Sequence, residues 1–148
     1  MRVAPKPVTT TSARTQVVSV LLDASNARAL SAREWNDVLR HTAKHGLIAR
    51  LGVTLADHGI LHHLPRKAQA RLRAACIAAE STQTAVRFEI NRVLRALTGT
   101  DVPVILLKGA AYLMAELPPS RGRYVGDLDL MVPAAQIAEV ERRLIAQG

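Results

Sequence analysis

Residues 104–132, VILLKGAAYLMAELPPSRGRYVGDLDLMV, carry the clearest pattern of strands and helix in the chain. This stretch opens with a continuous apolar run, residues 104–107, that is bounded by turn-forming residues and is typical of a buried strand. Gly109 then permits a tight turn into a helix over residues 110–116. After an irregular loop, residues 127–132 predict a second strand. The stretch therefore predicts a strand, a helix and another strand, in that order.

The residues before this stretch predict helices. Ser31 and Glu34 form an S-x-x-E capping box, which predicts a helix over residues 32–46. A shorter helix is expected over residues 47–58. Between Pro65 and Gly99 no glycine or proline interrupts an apolar stripe with helical spacing, which favours one long helix or two helices joined without a break.

Three regions follow from these patterns. Residues 1–14 lack apolar periodicity and predict a flexible tail, residues 15–99 form a helical region, and residues 100–148 begin a strand-containing core that ends in a helix. The predicted fold class is α+β, with strand–helix–strand–helix order after the helical region. Because two strands alone are marginally stable in water, we expect this core to be truncated and the chain to be the front part of a larger protein.

Composition excludes several classes of protein. The chain has 148 residues, of which 49% are hydrophobic and 22% charged, as in a globular domain. No apolar stretch approaches the roughly 20 residues that cross a bilayer. Prolines and threonines stand where a secretory signal would carry its apolar run, and the single cysteine, Cys76, cannot form an internal disulfide. These features predict a cytoplasmic protein with no membrane partner.

Positive charge is concentrated in the first half of the chain. Residues 1–75 hold 12 Lys and Arg against 4 Asp and Glu, whereas residues 76–148 hold 8 of each. A basic helical half could attract RNA or an acidic protein over long range. Aromatic residues make up only 3% of the chain, so surfaces on which bases could stack are scarce. Nucleic-acid binding is therefore possible but not favoured.

The sharpest candidate for chemistry is the acid pair Asp127 and Asp129. Side chains alternate between the two faces of a strand, so these two carboxylates are expected on one face while Leu128 and Leu130 enter the core. Two neighbouring carboxylates suit a hard divalent cation such as Mg²⁺ or Mn²⁺, which offsets their mutual repulsion. The alternative is a pair of acids that simply face water at a strand edge.

A second candidate is the junction Lys108-Gly109-Ala110, where the first strand ends and a helix begins. Backbone N–H groups at such a junction can bind an anion, and glycine allows a phosphate to approach the chain closely. Lys108 precedes the glycine and no G-K-[ST] follows, which excludes a Walker P-loop. If the two strands are neighbours, a triphosphate at Gly109 would lie beside cations held by the acid pair.

These residues resemble a known family. The run LLKGAAY at residues 106–112, then Arg123, then DLDLMV at residues 127–132 is similar to the L-K-G…R-x-x-x-D-[IL]-D-[IL]-[LM]-V signature of the uncharacterised nucleotidyltransferase family, within the polymerase-beta-like nucleotidyltransferase superfamily. The helices around Trp35 also resemble the helical front of that family.

The resemblance implies a nucleotidyltransferase core with a mixed sheet, a Mg²⁺ (or Mn²⁺) cofactor and a nucleoside triphosphate partner. It implies that Gly109 is the nucleotide-binding glycine and that Asp127 and Asp129 are catalytic metal ligands. Arg123 could reach a phosphate with its bidentate guanidinium, and Lys108 is a weaker candidate for the same role.

Two departures from the superfamily pattern matter. Ala110 stands where the superfamily usually has serine or glycine, so a hydroxyl contact to phosphate is lost. The superfamily also takes a third carboxylate from a later strand, and no such strand is predicted before Gly148. Glu116 is too far along its predicted helix to replace it, so we expect the chain as given to be incomplete as a catalyst.

The leading prediction is a metal-dependent nucleotidyltransferase that moves a nucleoside monophosphate from a nucleoside triphosphate to an unknown acceptor. The alternative is non-catalytic: a basic helical module that binds RNA or an acidic protein, joined to a degenerate nucleotide-binding fold. A glycosyltransferase that uses D-x-D to hold a sugar nucleotide is a weaker third hypothesis, because the strand–glycine–helix element suits it less well.

Overall fold

The computed structural model of the chain describes residues 12–147. Within that range the chain forms six α-helices and one pair of short strands. The helices are α1 (Ala13–Leu22), α2 (Ala32–Lys44), α3 (Ile48–Asp57), α4 (Arg66–Ala96), α5 (Lys108–Met114) and α6 (Ile137–Ala146), and the strands are β1 (Ile105–Leu106) and β2 (Leu130–Met131). Residues 1–11 of the predicted tail lie outside the described residues. No helix in the described range has the length and apolar character needed to cross a membrane.

Local signals explain where several helices begin and end. At the start of α2, the Glu34 carboxylate accepts a hydrogen bond of 2.8 Å from the Ser31 N–H, and the Ser31 hydroxyl accepts one from the Glu34 N–H, so the predicted capping box is confirmed. Gly46 follows α2 with a left-handed φ of 66°. The stretch between Pro65 and Gly99 contains a single helix, α4, without a break.

The first hydrophobic core, here called the helical core, lies among α1, α2, α3 and the first half of α4. Trp35 of α2 and Leu72 of α4 are fully buried in it, as the apolar stripes predict. Helices α3 and α4 approach closely at Gly52, where a Cβ would lie 3.2 Å from the carbonyl oxygen of Leu72. A side chain at this position would push the two helices apart.

The second half of α4 supports the strands and the last two helices. This second core is called the strand–helix core, and its buried residues are Val86, Ile90, Val93, Leu97, Ala110, Leu113, Val125 and Val140. The residues form two clusters, one that includes Val86 and Val125 and one that includes Val93 and Val140, and Leu128 packs against both clusters. The 31-residue helix α4 therefore contributes to both hydrophobic cores and joins the two regions.

The two strands are antiparallel neighbours, with Ile105 opposite Met131 and Leu106 opposite Leu130. One further backbone hydrogen bond, 3.0 Å long, runs from the Leu107 N–H to the carbonyl oxygen of Asp129. The strands predicted over residues 104–107 and 127–132 are thus in place but only two residues long.

The acid pair consequently does not lie within a strand, contrary to the prediction. Asp127 and Asp129 belong to the segment without regular secondary structure that leads into β2. The pairing stops there because the backbone that continues from β1 enters α5 at Lys108. It therefore offers no further strand hydrogen bonds to the residues before β2. This arrangement is compatible with an α+β class, while the mixed nucleotidyltransferase sheet stays a prediction.

The two faces of the strand pair differ. Leu106 and Leu130 are half-buried and pack against the strand–helix core. Ile105 and Met131 lie on the other face and are 51% and 49% exposed. We call this solvent-exposed side, together with the exposed Asp127 and the partly exposed Asp129 that precede β2, the open face.

Candidate functional site

The acid pair lies at the solvent side of the strand–helix core. Asp127 is exposed and Asp129 keeps 35% of its side chain exposed, whereas Leu128 and Leu130 between and after them pack inward. The expected inward direction of the two leucines is confirmed. Burial of alternate leucines therefore holds the segment in an orientation that leaves both carboxylates accessible to a ligand.

Asp129 has a partner that the sequence did not reveal. The Nζ atom of Lys108 lies 3.0 Å from the Oδ1 atom of Asp129, although the two residues are 21 positions apart. Lys108 also has a left-handed φ of 49°, which is uncommon for a residue with a side chain. Lys108 was predicted as a phosphate contact, and the structure instead places its ammonium on one of the two predicted metal ligands.

Gly109 occupies the second position of α5 and packs against Val125. A Cβ built on Gly109 would lie 3.0 Å from Val125 Cγ1 and 3.4 Å from Cγ2. Gly109 is not among the residues with positive φ, so the left-handed backbone of this turn belongs to Lys108. The expectation that Gly109 supplies the turn is therefore wrong: the glycine instead leaves room for the Val125 side chain to approach the backbone closely.

Ala110 was predicted to contribute to phosphate binding. It is fully buried in the strand–helix core, between α4 and Val125, so its side chain does not face a ligand. Any contact of Ala110 with a phosphate must therefore come from its backbone N–H. The absence of a serine hydroxyl at this position follows from the packing, because a polar side chain would be buried among apolar ones.

Arg123 is exposed in the loop between α5 and β2. Its Cζ atom lies 5.7 Å from the centre of the Tyr112 ring, which is within range of a cation–π interaction. Its carbonyl oxygen accepts a hydrogen bond of 2.9 Å from Gln83 of α4. The guanidinium is thus held over α5, the helix that begins at Lys108 and Gly109.

The loop that carries Arg123 is tied down by residues that sequence reasoning missed. Gln83 also donates to the carbonyl oxygen of Ser120 over 2.8 Å, and the Tyr124 hydroxyl donates to the carbonyl oxygen of Ala75 over 3.1 Å. Arg121 forms an ion pair with Asp57 of α3, with an N–O distance of 2.8 Å. Their partners lie 37 to 64 positions away, so no local pattern could have indicated these contacts.

The same ion pair changes the titration of Asp57. The hydrogen bond from the Arg121 side chain holds the pKa of the Asp57 carboxyl below its ordinary value, and the charges of Arg121, His58 and Arg50 act in the same direction. Asp57 is therefore a stable counter-charge for Arg121 at neutral pH.

Asp127 and Asp129 are the two carboxylates that this site can offer to a metal ion. Within residues 12–147 no group of three or more His, Cys, Asp and Glu side chains is placed to hold a metal ion. Mg²⁺ is commonly bound by one or two carboxylates together with waters and substrate phosphates, so an accessible Asp pair fits this cation. A site of this kind is completed by the nucleotide itself.

A family model described as uncharacterised nucleotidyltransferase matches residues 31–148 of the chain. The match spans α2 to α6 and both strands, and it includes the acid pair, Lys108, Gly109 and Arg123. The chain belongs to this uncharacterised nucleotidyltransferase family. The general kind of function is therefore nucleotidyl transfer, with nucleoside triphosphates as substrates. Membership of the family does not favour the alternative of a purely non-catalytic basic module. No curated protein and no solved structure matches the chain.

Proposed function

We propose that this chain binds a metal–nucleoside triphosphate complex and takes part in the transfer of a nucleoside monophosphate to an acceptor. The observation that carries the proposal is the acid pair on the open face, within the part of the chain that matches the family. Asp129 lies next to the start of α5, since its carboxylate contacts Lys108.

In the proposed reaction, a nucleophilic oxygen or nitrogen of the acceptor forms a bond to the α-phosphorus. The bond from the α-phosphorus to the oxygen that bridges it to the β-phosphorus breaks, and pyrophosphate leaves with that electron pair. The acceptor loses its proton to a base. Mg²⁺ or Mn²⁺, held by Asp127 and Asp129, would neutralise charge on the phosphate oxygens.

Lys108 has two roles in this proposal. Its ammonium balances Asp129 before a cation binds, as the 3.0 Å contact indicates. When Asp129 binds a cation, Lys108 is free to turn to the triphosphate, because a flexible lysine side chain can redirect its charge at low cost. The backbone N–H groups of Gly109 and Ala110 and the guanidinium of Arg123 supply the remaining phosphate contacts.

The test is a calorimetric titration of Mn²⁺ in the presence of ATP, with wild-type protein and the variants Asp127→Asn and Asp129→Asn. Each variant is expected to lose at least tenfold in affinity, because one carboxylate offers too few protein oxygens. Asp101→Asn is the matched control, since Asp101 is an exposed acid before β1. Affinities that stay unchanged in both site variants would remove the metal site.

Transfer itself is tested with triphosphates labelled at the α-phosphorus. Label that moves to an acceptor in a metal-dependent manner, and that does not move with Asp129→Asn, supports the proposal. Metal-dependent transfer that survives in Asp129→Asn would place the reacting centre elsewhere in the protein.

A further inference from the structure

A second site lies where the helical core meets the loop between α5 and β2. A cleft of about 560 Å³ opens between the α2–α3 turn and this loop. Its walls include His45, Arg50, Arg121, Arg123 and Tyr124. The volume lies within the range of about 300–1,000 Å³ that is usual for small-molecule sites.

The cleft has an excess of positive charge. Three arginines line it, and no acidic residue does so among those that the structure describes. Arg121 is balanced from outside the cleft by Asp57. Arg50 and Arg123 form no ion pair within the described part of the chain. Arg50, which the proposed triphosphate site does not use, is therefore available to an anionic ligand in the cleft.

The arginines are held in place before any ligand binds. Arg50 Nη1 donates to the carbonyl oxygen of Pro118 over 2.7 Å and to that of Arg121 over 3.2 Å, which leaves its other N–H groups unused by those bonds. Gly122 packs directly on α3, since a Cβ there would lie 2.7 Å from Arg50 Cα. With the bonds from Gln83 and Tyr124, the wall of the cleft is anchored to both α3 and α4.

The other walls are apolar or aromatic. Pro118, Pro119 and the half-exposed ring of Tyr124 lie beside the arginines. Such a combination suits a ligand with a planar or apolar body and one anionic group, because the rings cover the body while guanidinium groups bind oxygens bidentately.

We propose that this cleft binds the phosphate group of a small organic phosphate, which is the acceptor in the transfer reaction. The acceptor role rests on the proposed function, whereas the binding site does not. Arg123 connects the two sites, because it lines the cleft and also lies over Tyr112 of α5. The bound phosphate serves as a handle, and the bonds that form and break are those at the α-phosphorus described above.

The first experiment is a titration of the ¹⁵N-labelled protein with phenyl phosphate, followed by NMR without metal or nucleotide. Amide signals of residues 45–50 and 121–124 are expected to move. Signals that move only at residues 108–110 would assign the phosphate to the nucleotide site and overturn the cleft. Benzoate and phenol are the comparison probes, and equal affinity for either of them would overturn the choice of phosphate.

Variants separate charge from structure. Arg50→Gln is expected to weaken phenyl phosphate binding about tenfold, the effect of one lost hydrogen bond between charged groups. Arg71→Gln on α4 is the control, because it removes the same charge from an exposed residue outside the cleft. Equal affinities of the two variants would contradict the proposal.

Asp57→Asn provides a test with the opposite sign. It removes the counter-charge of Arg121 and is expected to tighten phenyl phosphate binding about threefold, in line with a partly screened charge. A cleft in which Arg121 served only to hold the loop would instead bind more weakly, because the loop loses its tether to α3.

The acceptor role is tested by adding Mg²⁺ and ATP to the protein saturated with phenyl phosphate. Both ligands are expected to bind together, and competition between them would overturn the acceptor role. If the proposed function fails, ATP will not bind in a metal-dependent manner, yet the phenyl phosphate titration remains unaffected because it contains neither metal nor nucleotide.

Discussion

The helical core and the strand–helix core share α4 but differ in how completely they are closed. Leu72 and Trp35 are almost wholly removed from solvent in the helical core. In the other region, the strand pair buries one face and leaves Ile105 and Met131 about half exposed. We therefore expect the closed core to contribute more to the free energy of unfolding, while the region with an open face carries the residues proposed above to bind a ligand.

The largest expected effect comes from a pair of matched leucines. Leu72→Ala removes a fully buried side chain from the helical core and is expected to lower the free energy of unfolding by about 3–5 kcal/mol. Leu128→Ala, in the half-buried contact with the strand–helix core, is expected to cost about 1–2 kcal/mol, because its cavity opens towards solvent. Urea unfolding followed by circular dichroism measures the free energy of unfolding of both variants. Equal losses of stability would contradict the expected difference between the two cores.

The next effect concerns the tight packing under α5. Gly109→Ala is expected to destabilise the protein by about 1–3 kcal/mol, because its Cβ meets Val125 at 3.0 Å. Val125→Ala makes room, so the double variant should be less destabilised than the sum of the two single variants. A purely additive cycle would show that Val125 is not the obstacle. The proposed nucleotide-binding role of Gly109 is best tested in the double variant, where a loss of nucleotide binding cannot result from the clash with Val125.

A smaller effect is expected at Lys108. Lys108→Met removes the ammonium that competes for Asp129, so Mn²⁺ affinity without nucleotide should rise by up to about fivefold, the range of an exposed ion pair. ATP affinity should fall, because a phosphate contact is lost. Lys67→Met at the exposed start of α4 changes the net charge equally and serves as the control in calorimetry. If both variants bind Mn²⁺ alike, the Lys108–Asp129 contact does not regulate the site.

The smallest effect concerns pH and the ion pairs within α6. Hydrogen bonds from Arg143 and then Arg142 hold the pKa of the Glu139 carboxyl below its ordinary value of 4.5. A carboxyl with a lowered folded-state pKa contributes stability that is fully present above the unfolded-state pKa and is lost as pH falls through the folded-state pKa. The difference in Tm between wild type and Glu139→Gln should therefore be constant near neutral pH and disappear in acid.

Glu141→Gln is the control for this measurement, because Glu141 is an exposed neighbour on the same helix. Thermal unfolding between about pH 7 and pH 3 covers the range in which the carboxyl titrates. A Tm difference for Glu139→Gln that persists unchanged at low pH would mean that the ion pairs with the two arginines do not contribute to it.

Much of the helical region could be predicted from the sequence. The Ser31 capping box, the end of α2 shortly before Gly46 and the uninterrupted α4 are all local features, and the structure confirms each of them. The strand–helix–strand order was also predicted correctly, but the lengths of the strands were not. An apolar run indicates a strand without stating how many residues find a hydrogen-bonding partner, and here pairing stops where Lys108 enters α5.

The candidate site was predicted by residue type and only partly by arrangement. Asp127, Asp129 and Arg123 were selected because their chemistry suits cations and phosphates, and those roles stay predictions. The ion pair of Lys108 with Asp129 and the contact of Gly109 with Val125 were not predicted, because each joins residues 16 or more positions apart. Mutagenesis of the partners is therefore as informative as mutagenesis of the predicted residues themselves.

The start of α2, the apolar stripe of α4 and membership of the family could all be recognised from the sequence, since they depend on neighbouring residues and on helical spacing. The open face of the strand pair, the position of the Lys108 ammonium and the three arginines along one cleft became visible only in the folded structure. The physical reason is that these contacts depend on how elements far apart in the chain pack together. Local conformational preferences do not encode that packing.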